Sequence, residues 1–275
     1  MTTFDITNSK QSEEDKALQE ALKASGAIPE HIAVIMDGNG RWAQQKGGLR
    51  ILGHRNGVAS VRDITESCAQ LGVKHLTLYA FSTENWGRPE EEVNGLMKLL
   101  VATLESEAET LRRNNIRLVT IGQCDRFPAD IQKKLDEVKA LTADNTHMVL
   151  CLALSYSGRW DITQAVQHIA QKVAEGTVLP HEIDDDMISE HLATAGKPDP
   201  DLVIRTSGEF RVSNFLLWQL AYSEFFVSAT FWPDFRRDEL YNAIESFQQR
   251  DRRFGKLSKR HTKSIPSSVI RTLMS

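Results

Sequence analysis

The chain of 275 residues has only three cysteines, Cys68, Cys124 and Cys151, and no C-x-x-C pair. A disulfide framework is therefore not indicated. Cys68 and Cys151 sit in apolar patterns, which predicts buried, reduced thiols and a reducing compartment. No apolar run approaches the roughly 20 residues that a membrane span requires, and the first residues lack the basic-then-apolar pattern of a signal peptide. Excess positive charge is missing too. The net charge is −4 and the pI near 6.1, which argues against general nucleic-acid binding. There is no G-x-x-x-x-G-K-[ST], so a Walker-type ATPase is not expected. No internal repeat, low-complexity tract or linker divides the chain. The sequence thus predicts one soluble intracellular domain, and its 41% apolar content can supply a substantial core.

What is present is organised around His31-Ile-Ala-Val-Ile-Met-Asp-Gly-Asn-Gly-Arg-Trp42. The apolar run Ile32–Met36 is too short for a typical helix and rich in β-branched residues, so it reads as a buried strand. It runs into Asp37, Gly38, Asn39, Gly40, Arg41 and Trp42. A carboxylate at a strand's end, glycines that expose backbone N–H groups and an arginine suit a phosphate and its metal ion. The plainer alternative is a strand-to-helix turn that uses Gly and Asn for backbone freedom.

Along the chain, Glu13–Ser25 predicts a solvent-facing helix and Gln44–Arg50 a polar loop. Val58, Val61, Ile64, Cys68 and Leu71 predict a helix from Gly57 to a stop at Gly72. Strands follow at His75–Phe81, Ile116–Ile121, Met148–Leu154, Leu202–Ile204 and Phe225–Thr230. Helices are expected over 89–113, 129–141, 162–174, 186–192, near Phe215–Ala221, and over 237–247. Pro89 fits a first helical residue. Strands alternating with helices imply an α/β fold: a single domain with a mainly parallel six-stranded sheet flanked by helices.

In such sheets ligands bind beyond the carboxyl ends of the strands. Four polar segments follow strands: Asp37–Trp42, Ser82–Arg88, Ser155–Asp161 and Arg205–Ser213. They and their surroundings bring Arg41, Arg50, Arg88, Arg205 and Arg211 to one edge of an acidic protein. Guanidinium forks match phosphate oxygens in pairs, so more than one phosphate group is expected, with Mg²⁺ held by one or two carboxylates. Gly38-x-Gly40-x-x-Ala43 also fits a dinucleotide fingerprint. The acidic residue expected about 20 positions on is missing from a strand end, because Asp63 lies inside a helical pattern.

These residues carry a family resemblance. H-I-A-V-I-M-D-G-N-G-R-W-A is followed by G-H-R-N-G at 53–57 and Y-A-F-S-T-E-N-W-G-R-P at 79–89. G-R-W-D stands at 158–161, D-L-V-I-R-T-S-G-E-F-R-V-S-N-F-L-L-W-Q at 201–219 and A-Y-S-E-F at 221–225. F-W-P-D-F at 231–235 and R-D-R-R-F-G at 250–255 complete the set. Over about residues 30–255 the chain resembles the cis-prenyltransferases, most of all the bacterial undecaprenyl diphosphate synthase type.

The resemblance implies a transferase that adds isopentenyl diphosphate repeatedly to farnesyl diphosphate, each new double bond being cis. The product would be a long polyprenyl diphosphate, such as undecaprenyl diphosphate, a lipid carrier for cell-wall (peptidoglycan) synthesis. It implies that Asp37 places Mg²⁺ on a diphosphate and that Gly38–Arg41, Arg50 and His54 grip the allylic diphosphate. Arg205, Arg211 and Ser213, beside Val212, would hold isopentenyl diphosphate. Ser82 and Asn85 would lie by the reacting carbons, with Asn85 assisting proton removal. Phe81 and Trp86 would pack on the prenyl chain, Arg88 would steady the loop with Thr83 and Glu84, and Trp42 would flank the phosphate turn. Glu224 would be a second metal carboxylate, reached across a homodimer interface. The helix Val93–Leu111, with Leu150 and Leu152, would line an apolar tunnel.

Residues 1–26 would be a polar extension, 27–255 the catalytic domain and 256–275 a basic tail. The location implied is cytoplasmic, with transient contact at the inner face of the plasma membrane for product release. Some positions depart from the family pattern. Ser155 and Ser157 stand where N-Y-G-G-R is usual, which predicts a less compact backbone. Phe210 replaces a His that helps bind metal in some relatives. Asp184-Asp185-Asp186 resembles an aspartate-rich metal motif but lacks D-D-x-x-D spacing and precedes a helix, where acids are favoured anyway. A non-catalytic partner subunit is the alternative within this fold. Such subunits lack the motif aspartate and arginines, whereas Asp37, Arg205 and Arg211 are present.

Overall fold

A computed structural model describes residues 11–250; the basic tail beyond Arg250, and with it most of R-D-R-R-F-G, lies outside them. Six strands are present: β1 (His31–Ile35), β2 (His75–Ser82), β3 (Ile116–Ile121), β4 (Met148–Tyr156), β5 (Leu202–Arg205) and β6 (Glu224–Val227). They form one sheet in the order β3-β4-β2-β1-β5-β6, and every pairing is parallel. β1 is central and buried along its whole length, as a short run of branched apolar residues requires in a sheet covered on both faces. The helices are α1 (Glu13–Ser25), α2 (Asn39–Gln45), α3 (Arg50–Leu71), α4 (Glu90–Arg113), α5 (Ala129–Leu141), α6 (Gly158–Ala174), α7 (Asp185–His191) and α8 (Arg237–Gln248).

Alternation along the strands divides the core. Ile32, Val34, Leu76 and Leu78 pack with Ile64 of α3, Met97 and Leu104 of α4 and Ile244 of α8. Ala33, Ile35, Ala153 and Val203 face the other way, onto Phe215, Leu216 and Tyr156. Each strand thus delivers its last residues to one polar edge while both faces stay dry.

Several elements differ from the sequence expectation, each for a local reason. α1 spans the expected residues but is not simply solvent-facing. Asp15, Gln19 and Leu22 are buried: Asp15 Oδ1 accepts from the Tyr241 hydroxyl at 2.6 Å and Oδ2 pairs with Arg237 at 2.6 Å. The expected loop Gln44–Arg50 is instead the end of α2 and a short turn, and α3 starts at Arg50 rather than Gly57. Gly53 and Gly57 both lie inside α3, where α2 crosses it closely. A Cβ at Gly53 would sit 1.8 Å from the Asn39 carbonyl oxygen, and one at Gly57 2.7 Å from Asn39 Oδ1. α6 starts at Gly158, four residues early, and β6 starts at Glu224 but ends at Val227.

The helix expected near Phe215–Ala221 is a run of turns. Ser213, Asn214 and Leu216 have φ of 48°, 59° and 43°, which no right-handed helix permits. The backbone at Ser155 is not loose. Ser155 is fully buried at φ 49°, and its hydroxyl accepts from Trp86 Nε1 at 2.9 Å. Asp184 caps α7, accepting from the Met187 N–H at 2.8 Å, so the acidic run serves a helix start.

Gly53→Ala should destabilise the protein by at least about 2 kcal/mol, because a backbone carbonyl blocks the new methyl group. Urea unfolding reads this directly; a midpoint equal to wild type would mean that α2 can shift away at no cost.

Candidate active site

The parallel sheet places Asp37, Ser82, Tyr156 and Arg205 at the carboxyl ends of β1, β2, β4 and β5. Asp37, Ser82 and Arg205, with residues of the following turns, border a polar cleft of about 500 Å³ lined also by Asn85, Arg88 and Arg211, among others; Tyr156 is buried behind it. Met36, Asn85 and Arg88 also border an apolar cavity of about 240 Å³ between α3, α4 and the sheet, into which Leu150 and Leu152 project. A polar cleft opening onto an apolar pocket is the central geometric fact of the molecule.

The cleft is built on a chain of alternating charges. Arg205 is buried, and its Nη2 donates to Asp37 Oδ2 at 2.9 Å. Its Nη1 donates to Ser213 Oγ at 2.8 Å and to the Arg211 carbonyl. Asp37 Oδ1 accepts from the Gly38 N–H at 2.7 Å and lies 3.6 Å from Arg41 Nη2. Arg41 Nη1 donates to Glu209 at 2.8 Å, its Nη2 donates to Ser207 Oγ, and Glu209 in turn pairs with Arg211. Burial alone would raise the Asp37 carboxyl, but the Arg205 guanidinium, the Gly38 N–H and Arg41 together hold it below the usual range.

The turn after Asp37 has its shape for a reason. Gly38 adopts φ 101°, and a Cβ there would meet Phe231 at 2.7 Å and Ser207 at 2.9 Å. A Cβ on Gly40 would meet the Arg50 guanidinium at 2.8 Å. The first N–H groups of α2 have no intrahelical acceptor and belong to the same turn. Trp42 flanks it, held by Asp234 at 2.8 Å. Arg50 and Arg88 both bind Glu92, at 3.3 and 2.9 Å.

His54 borders the apolar cavity, and its Nε2 has no protein partner. Burial, with the nearby Arg88 and Arg50 charges opposed by Glu92, pushes it down to about 4, so the ring is neutral at pH 7.

Thr83 to Gly87 form a tight 3-10 turn. Asn85 Oδ1 accepts from the Ser82 N–H at 3.1 Å, and Glu84 accepts from Asn214 at 2.9 Å. Phe81 and Trp86 stack edge to face, with ring centroids 5.0 Å apart, and Arg126 lies 5.1 Å over the Trp86 ring. Val212 packs with the second core group.

Glu224 is not part of this constellation. It opens β6 opposite Leu202, while Val227 pairs with Arg205, so it lies about 10 Å short of the strand ends at 3.3 Å per residue. It is ion-paired with Arg250 at 2.8 Å. Within one chain Glu224 and Asp37 cannot share an ion, so the metal role that the resemblance implies for Glu224 would need the second copy of the chain across a homodimer interface. Phe210 is exposed at 87%. The residues that sequence reasoning missed are Glu209 and Glu92. Glu209 could have been found as the one acid between two expected phosphate-binding arginines.

An open parallel α/β sheet, an arginine-rich cleft at its carboxyl edge and an adjoining apolar cavity define an enzyme class that handles phosphorylated apolar substrates. Residues 35–255 match the prenyltransferase family model described as "Putative undecaprenyl diphosphate synthase", and the chain belongs to that family. An isoprenyl transferase from Chlorobaculum tepidum is 56% identical over 91% of this chain and 94% of its own length. A ditrans,polycis-undecaprenyl-diphosphate synthase ((2E,6E)-farnesyl-diphosphate specific) from Vibrio cholerae is 50% identical over 86% and 95%. Among solved structures, lavandulyl diphosphate synthase from Lavandula x intermedia, in complex with dimethylallyl diphosphate, superposes with a TM-score of 0.82 at 37% identity, covering 83% of this chain and 99% of that one. A probable undecaprenyl diphosphate synthase from Campylobacter jejuni gives 0.69 at 32% identity, covering 84% and 100%.

Because the Asp37 shift is downward, its ionised form adds stability above the ordinary value of 3.8, and this is lost as pH falls through the folded value. Arg205→Met should raise the Asp37 pKa, measured by carboxyl ¹³C NMR titration. An unchanged titration would mean that Gly38 N–H and Arg41 hold the charge without Arg205.

Proposed function

We propose that this protein is a cis-prenyltransferase of the undecaprenyl diphosphate synthase type, which adds isopentenyl units to farnesyl diphosphate to make a long polyprenyl diphosphate. The observation that carries the reading is the meeting of the Asp37–Arg205–Arg41–Arg211 cleft with the apolar cavity at Met36, Asn85 and Arg88. Such a site can hold a diphosphate at its edge and an isoprenoid chain within. Family membership and the relatives' names support it.

Mg²⁺ is part of this proposal. The donor set fits it: Asp37 offers hard carboxylate oxygen, and Mg²⁺ accepts sparse sites by keeping waters and taking substrate phosphate oxygens. Among the described residues no group of three or more His, Cys, Asp or Glu forms a metal cage. When bound, the ion neutralises charge on the departing diphosphate. Asp37 holds it, while Gly38–Arg41, Arg50 and His54 seat the allylic diphosphate. Arg205, Arg211 and Ser213 seat the isopentenyl diphosphate.

The allylic C–O bond breaks as diphosphate leaves, the isopentenyl double bond attacks the allylic carbon, and the adjacent carbon, with Asn85 assisting, gives its proton to the released diphosphate as the new double bond forms. Arginine charge stabilises the leaving anion. Phe81 and the leucine-lined cavity exclude water from the developing cation. Asn85 orients the reacting carbons, its carboxamide fixed by the Ser82 N–H.

The proposal includes a homodimer, because any metal role for Glu224 requires a second copy of the chain. No helix among the described residues is long and apolar enough to cross a membrane, so membrane contact for product release would be peripheral.

Radiolabelled isopentenyl diphosphate with farnesyl diphosphate and Mg²⁺ should yield a labelled polyprenyl product. Asp37→Ala should lower turnover by about 10²–10³-fold, the usual loss for a key electrostatic group, with the fold intact by circular dichroism. A variant keeping more than about a tenth of wild-type turnover would remove Asp37 from the mechanism. Arg211→Ala should raise KM for isopentenyl diphosphate more than for farnesyl diphosphate. Equal effects would mean that the two diphosphates are not held by separate arginines.

A further inference from the structure

The apolar cavity has one polar seam. Arg62 and Thr65 of α3, three residues apart, border it from one side, and Thr103 and Glu107 of α4, four apart, from the other. Those spacings put each pair on one face of its helix. The two charged groups are joined: Arg62 Nε donates to Glu107 Oε1 at 2.5 Å, and Nη2 contacts the same carboxylate. Ser106 Oγ donates to Glu107 Oε1 as well, at 3.1 Å. The side chains are only 23% and 12% exposed, so this is a sheltered pair and not a surface one.

Its place along the cavity matters. His54, which borders the cavity near the cleft, is eight residues before Arg62, about 12 Å along α3 at 1.5 Å per residue. Glu92, bound to Arg50 and Arg88 by the cleft, is fifteen residues before Glu107, about 22 Å along α4. The clasp therefore ties the two helices together at a depth that a chain reaches only after it has grown. Beyond it the lining turns apolar again, with Leu111, Leu118 and Leu150.

We propose that the Arg62–Glu107 clasp is a specificity-determining element that limits the length of the polyprenyl product. This rests on the reading of the protein as a chain-elongating prenyltransferase. A chain entering from the cleft fills the proximal cavity without disturbing the pair. To extend further it must spread α3 from α4, and that separates two charges that do not regain full contact with water, an opening more unfavourable than parting an exposed pair. Paired apolar side chains of similar size would lose little when an isoprenoid passes between them.

The test compares wild type with the double variant Arg62→Met/Glu107→Leu, which keeps the volume and removes both charges together. Reversed-phase chromatography and mass spectrometry read product length at saturating isopentenyl diphosphate. Single-turnover measurement reads the first condensation separately. The double variant should release products at least one five-carbon unit longer than wild type, with the first condensation unchanged within twofold. An unchanged length distribution with an intact first condensation overturns the proposal, as does a shift to shorter products.

If the double variant fails to fold, Glu107→Gln answers the same question, since it keeps the shape and a neutral hydrogen bond. It should lengthen part of the product, and an unaltered distribution again overturns the proposal. A wild-type protein that elongates no allylic diphosphate overturns the underlying reading and the clasp's role with it.

Discussion

The Asp37–Arg205 ion pair is the contact on which the polar half of the molecule depends. It joins the ends of β1 and β5, two adjacent central strands whose register brings Ile35 opposite Arg205. Parallel pairing puts both residues at one edge without any loop having to carry them there. Once set, the pair orients the segments that leave both strands. Arg205 pins Ser213 and the Arg211 carbonyl, which forces the chain into the left-handed turns at Ser213, Asn214 and Leu216. Asp37 pins the Gly38 N–H, which starts α2 and brings Arg41 into line with Glu209.

The apolar half depends on a different constraint, the close crossing of α2 over α3. Only glycine at 53 lets the Asn39 carbonyl approach. That approach sets where α3 runs beside α4, and so the width of the cavity between them. The two halves share residues at their junction, so on the proposed function one backbone would fix both the position of a diphosphate and the direction of its hydrocarbon chain. Few other arrangements would hold an anion and a water-insoluble tail at one opening.

Much of this was legible in the sequence. β1 to β5 could be read because short branched apolar runs bounded by polar turns have few alternatives. The gathering of Asp37, Ser82, Arg88, Arg205 and Arg211 around one cleft could be read because strand ends in a parallel sheet share an edge. Three features were not legible, and the reasons are physical. Nothing marks Gly53 as a crossing point, since local propensity cannot report that a second helix lies 1.8 Å from where its methyl group would be. Phe215-Leu216-Leu217 looks helical by hydropathy, but the chain just before it is held by Arg205, at the end of the preceding strand, through Ser213 Oγ and the Arg211 carbonyl. Whether Glu224 and Asp37 can meet within one chain is not written in the sequence either, because both follow or open strands near β5. Only the register reveals that one stands at the start of its strand and the other beyond the end of its own.

The donor balance of Arg205 explains why so much of the cleft is organised around it. A guanidinium has five N–H donors. Here Nη1 and Nη2 are used by Asp37, Ser213 and the Arg211 carbonyl, while Nε is buried with no protein partner. A sheltered donor without an acceptor is unfavourable, and a site serving stability alone would provide one. The neighbouring guanidinium groups of Arg41 and Arg211 are meanwhile both bound to Glu209. A diphosphate brings several oxygens at once, so it can take over the positions that Asp37 and Glu209 occupy on the arginines. On the function proposed above, Asp37 would then be released from part of its pairing and could offer an oxygen to a metal ion bound with that diphosphate. On that proposal, the ion pair that shapes the cleft would also couple metal binding to substrate binding.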